Sequence, residues 1–225
     1  MLINNFTKEI QNYLLISGIA SLLLYVFSLF LYFASIATYI GIAFDLSIIF
    51  LALGFYVFGK MLKSNFSSWK FVSISLISAS ILDLFNITLY LIYNNRAVWI
   101  SVGFQIYRLI TGLIYYLLII TSFLKLFKLQ RKIYSYDLSP VTPRLFLVYG
   151  YGLTSIGYVF LWTKDFLISD LVSRPDWLID VASYILFVSN FFVILGFLNL
   201  IYFFQSIVKK TEEDLDEGEE YEGEE

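Results

Sequence analysis

Between Tyr13 and Phe58 the chain carries one charged residue, Asp45, over a stretch more than twice as long as a bilayer crossing requires. A helix advances about 1.5 Å per residue, so about 20 apolar residues span the roughly 30 Å of membrane hydrocarbon. The run therefore reads as two crossings, divided near Ser35 to Tyr39. Comparable runs recur at Trp69 to Tyr93, Val98 to Leu124, Leu145 to Trp162 and Val181 to Ile207. They leave no room for a soluble domain beside them, and hydrophobic residues make up 59% of the 225 against 15% charged, with a mean hydropathy of +0.77. Lipid offers the backbone no hydrogen-bond partners, so the spans are helices that satisfy themselves.

The sequence thus predicts an all-α integral membrane protein, a bundle of about six transmembrane helices with short loops. Residues 1–12 form a cytoplasmic N-terminal segment. The transmembrane domain covers 13–208, with helices at about 13–35, 39–58, 69–93, 98–124, 145–162 and 181–207. Residues 209–225 read as a disordered acidic cytoplasmic tail, because ten of the last fifteen are Asp or Glu. Without residues 211–225 the formal net charge of −3 becomes +7, so the apolar body is basic.

Lysine and arginine near span ends give the orientation, since cytoplasmic loops retain positive charge. Eleven of them fall on one side: Lys8; Lys60, Lys63 and Lys70; Lys125, Lys128, Arg131, Lys132 and Arg144; Lys209 and Lys210. Three, Arg96, Lys164 and Arg174, fall on the other. The alternation predicts a cell-membrane location with both termini cytoplasmic. The three hairpins share this basic pattern and no recurring residues, so positive-inside topology accounts for it without a repeat.

Neither cysteine nor histidine occurs, which removes disulfides, thiolate nucleophiles, imidazole bases and the usual zinc and haem ligands. No enzyme activity, catalytic residue, cofactor or metal is expected. The polar start and the long first span point to no cleaved signal, and no lipidation pattern occurs. Pro140, Pro143 and Pro175 all lie between spans, so the helices should be continuous, and Thr142 followed by Pro143 reads as the N-cap and first position of the fifth.

A charged side chain at membrane depth costs roughly 2.5–3.5 kcal/mol on insertion scales and needs a reason. Asp45, Asp83 and Arg108 qualify. Asp83 lies twelve residues before Asn95 and Arg108 thirteen after it, which puts both about 18–20 Å from that turn and predicts an ion pair. Helical steps add Ser80, Asn86 and Tyr90 to the Asp83 face, and Ser101, Gln105, Gly112 and Tyr115 to the Arg108 face. Asp45, Asp83, Asn86, Gln105, Arg108 and Tyr115 form the candidate intramembrane polar site, read either as a solute, ion or proton site or as a pin fixing helix register. Asp45, about 10 Å from the outer end of its helix, reads as shallower than Asp83.

Three seams of small and polar residues read as helix-packing surfaces. They are Ser17, Ser21, Ser28 and Ser35; Gly150, Thr154 and Gly157; and Ser189, Gly196 and Asn199. The stretch from Thr163 to Asp180 alternates apolar and charged residues and should lie along the membrane surface.

Two readings of function lead: transport of a small solute or ion, or part of a channel, through the zone between helices two, three and four; and a non-catalytic scaffold or signalling subunit docking through the acidic tail and basic loops. An intramembrane lipid-modifying enzyme would need Asp45 and Asp83 to meet as paired carboxylates near the interface, against their unequal depths. The expected partners are the lipid bilayer and other membrane subunits or a second copy of the chain; the basic cluster Lys125 to Lys132 is ordinary juxtamembrane bias, and no nucleic acid is assigned.

Overall fold

The computed structural model describes residues 8–33, 37–62, 66–92, 102–136, 139–167 and 176–222. Among them it is all-helical, with six helices: α1 (Lys8–Phe33), α2 (Ala37–Leu62), α3 (Phe66–Ile92), α4 (Val102–Ser135), α5 (Phe146–Leu167) and α6 (Asp176–Glu222). α2, α3, α4 and α6 are long and apolar enough to cross a membrane, and α1 and α5 hold the shorter apolar stretches Leu15–Phe27 and Phe146–Leu161.

Each helix packs on the next in the chain, and α1 packs on α6, so the six close into a ring. Aromatic side chains fill its interior. Tyr25 of α1 meets Phe44 of α2 and Phe197 of α6, while Tyr151 of α5 meets Phe44 and stacks on Phe123 of α4 at 5.1 Å. Phe58 of α2 meets Trp69 of α3 and Phe204 of α6. The outer faces are apolar too: Leu23, Phe50, Phe71, Ile81, Leu117 and Phe187 all point outward and are exposed. Asp45, Ser47, Ser73, Ser80, Ser122 and Ser189 are buried instead. This is the reverse of a water-soluble bundle, whose exposed faces are charged.

The α5–α6 seam forms from the small residues that the spacing picked out. A Cβ on Gly150 would stand 2.5 Å from Val193 Cγ2 and 2.9 Å from the Val193 backbone nitrogen, and one on Gly196 would stand 2.6 Å from Leu147 Cγ. The Thr154 hydroxyl donates to Ser189 Oγ at 3.0 Å across the same seam. Gly150→Ala should therefore force the helices apart and cost about 1–3 kcal/mol. Thermal unfolding in detergent checks this, and Val193→Ala should rescue only partly because the backbone nitrogen stays in place.

Several boundaries differ from the sequence reading. α4 continues eleven residues past Leu124 to Ser135, because Leu126, Leu129 and Gln130 keep a buried face while Lys128, Arg131 and Lys132 point out. Thr142 and Pro143 precede α5 rather than opening it. There the Arg144 N–H donates to Asn199 Oδ1 and Asn199 Nδ2 donates to the Thr142 carbonyl, so α6 supplies the cap from its side chain. Phe166 and Leu167 end α5, and Trp177, Leu178 and Asp180 lie on α6, not in a surface segment; the positions between fall outside the described residues. α6 is helical through Glu222 and so includes most of the acidic tail. A helix already nucleated by its apolar part propagates readily into residues of good helix propensity such as Glu.

Candidate functional site

Asp45 and Asp83 stand at matching heights on adjacent helices. Asp45 is eight residues into α2 from Ala37, and Asp83 is nine residues before the end of α3 at Ile92. At about 1.5 Å per residue both lie roughly 12–14 Å from the same end of the bundle. The expected difference in depth came from measuring Asp83 to Asn95, beyond the last described helical residue. The two carboxyls act on each other as like charges. Neither Asp45 oxygen settles into a formed hydrogen bond among the described residues, although the side chain is fully buried.

Arg108 takes a different place from the one expected. It is six residues into α4 from Val102, about 9 Å from that end and so a few ångströms above Asp83, and it is exposed on the bundle surface. Its charge acts on Asp83, and so does Asp45. The expected attraction between Asp83 and Arg108 is present, and Asp45 joins it as a second acid.

The rest of the predicted site divides. Tyr115 is buried and lies in the field of both acids. Helical side chains lean toward the N-terminus of their helix, which carries the Tyr115 ring from its deeper Cα toward the acid layer. Ser80, one turn before Asp83, is buried on the same face. Asn86 sits one turn on and accepts a hydrogen bond from the Tyr107 hydroxyl at 3.0 Å, tying α3 to α4. Gln105 is on α4, its side chain outside the described residues, as are Tyr90 and Ser101.

Three participants were not foreseen. Tyr151 of α5 lies in the field of Asp45 and of Tyr25. Tyr116 of α4 lies in the field of Asp83. Tyr25 of α1 donates to Asn190 Oδ1 of α6 at 2.8 Å and so helps close the ring. Only Tyr25 carried a signal, four residues beyond Ser21 on the serine face; Tyr116 and Tyr151 are two among eighteen tyrosines.

Among the described residues, the buried side-chain oxygens without a hydrogen-bond partner are Asp45 Oδ1 and Oδ2, Ser80 Oγ, Tyr115 Oη and Tyr151 Oη, from four helices. Each such group costs about 1–3 kcal/mol against its hydrated form. Together they make the inside of the helix ring a place where a polar or charged species would be held. Among the described residues no three Asp, Glu, His or Cys side chains converge. No protein family, characterised protein or solved structure matches the chain.

Proposed function

We propose that the chain is a six-span cell-membrane protein, both termini cytoplasmic, that passes a small solute or ion through the polar layer of α2, α3 and α4. One observation supports this most: unpartnered carboxyl and hydroxyl oxygens collect inside the helix ring while its outer faces are apolar. Lipid stabilises the outer arrangement, and groups this costly inside a bundle mark solute and ion paths. The lysine and arginine asymmetry supports the orientation. Both acids stand well below the helix ends, away from headgroups, which disfavours chemistry on lipid.

Reconstitution in liposomes tests the reading. Alanine at Asp45, Asp83 and Arg108 should each reduce flux of the transported species at least tenfold, taking about 1.4 kcal/mol as the smallest effect of deleting a pathway charge. Unchanged flux across a broad panel of ions and small solutes would discard it.

A further inference from the structure

We infer that the Asp45–Asp83 pair holds one exchangeable positive charge, carried by a proton or by an alkali ion. This deepens the transport reading by naming the class of ion, and rests on it for the site's position in the membrane.

A count of charges leads to it. Two carboxylates and the Arg108 guanidinium leave the layer one negative charge in excess. Within the spans relief is remote, while Arg96, Lys164 and Arg174, which the sequence reading puts at the outer side, have side chains outside the described residues. The next charged residues along α2, α3 and α4 are Lys60, Lys70 and Lys125, each at least thirteen residues from the acid or arginine of its helix, about 20 Å along the axis. α1 has no charge between Glu9 and Phe33, α5 none from Leu147 to Trp162, and α6 none between Asp180 and Lys209. The titratable groups around the pair are Tyr115 and Tyr116 of α4 and Tyr151 of α5, with Tyr25 of α1 acting on Tyr151. α6 contributes Asn190, which accepts from Tyr25. Their hydroxyls are neutral and cannot supply the missing charge.

The ligand atoms point to the same occupant. Asp45 Oδ1 and Oδ2, Ser80 Oγ and Tyr115 Oη are all oxygens, buried, and without hydrogen-bond partners. Main-chain carbonyls of the continuous α2 and α3 are committed to their own helices, so side-chain oxygens must do the binding. An oxygen set with one negative charge in excess suits a proton shared between carboxyls or a small hard cation. Where an alkali ion replaces the proton, the carboxyl O–H bond breaks, the proton leaves to solution and the ion takes its place on the carboxylate.

Infrared spectroscopy of the full chain in lipid nanodiscs at neutral pH reads the occupant directly, with choline chloride and sodium chloride compared. In choline, which is too large to enter, we expect the carbonyl stretch of one protonated carboxyl. Heavy-isotope labelling of the aspartate carboxyls assigns it in the unsubstituted protein. The band should vanish in Asp45→Asn, where Asp83 and Arg108 balance, and grow about twofold in Arg108→Gln, where the excess rises to two. Loss of the band on adding sodium identifies an alkali ion that competes with the proton; a band indifferent to sodium identifies the proton alone. No aspartate-assigned band in choline, or one that persists in Asp45→Asn, overturns the inference. No gradient or flux enters this measurement: flux without the band defeats only the bound charge, and the band without flux defeats only transport.

Discussion

Asp45→Leu should make the protein more stable and stop it working. Asp45 is fully buried, neither carboxyl oxygen has a hydrogen-bond partner, and its near neighbour is another acid. Leucine is close in size, removes the unpartnered oxygens and the like charge, and packs among Phe44, Ile48 and the aromatic interior. We expect a gain of about 1–3 kcal/mol, the usual penalty of an unsatisfied buried polar group. Thermal unfolding in detergent reads the gain, and flux in liposomes should fall to the level of empty vesicles. A less stable but active variant would make Asp45 a structural pin. The expected combination is that of a group kept for function against the preference of the fold.

Trp69→Ala should have the largest purely structural effect. The indole is buried, meets Phe58 edge-on with ring centroids 4.8 Å apart and Phe55 at 5.9 Å, and its Cβ presses against Gly59 of α2. Removing a buried aromatic ring costs about 3–5 kcal/mol in soluble cores. In lipid the transfer part of that cost shrinks, because acyl chains are as apolar as the core, and lost packing remains. We expect about 3 kcal/mol, measured by thermal unfolding. Gly59→Ala should also destabilise, since its methyl would overlap the Trp69 Cβ. Ring loss does not remove that Cβ, so the double variant should show little mutual rescue. Full rescue would mean that the indole ring, not the backbone approach, sets the α2–α3 distance.

Hydrophobic run length made the helices legible, and small-residue spacing revealed the α5–α6 seam, because both are one-dimensional signals. The acids were legible as costly residues. Their pairing was not, since it depends on where helices end: counting Asp83 from Asn95 added three residues beyond Ile92 and shifted its apparent partner from Asp45 to Arg108. α4 was read as too short because its exposed lysines ended the apolar run while Leu126 and Leu129 still packed inward. Tyr151 joins the polar layer from a helix whose sequence shows no polar face toward it, and only closure of the ring brings it there.

Closure also has a consequence for biosynthesis. The helix that seals the ring against α1 is made after the other five, and the α1 surface that receives it includes Gly18, whose added Cβ would stand 3.2 Å from Ile201 of α6. Until α6 is in place the chain is an open arc, without the helix that closes it on α1. A product that lacks α6 should therefore be an open arc rather than a smaller closed bundle. Much of the stability should arrive with α6, the helix that closes the ring.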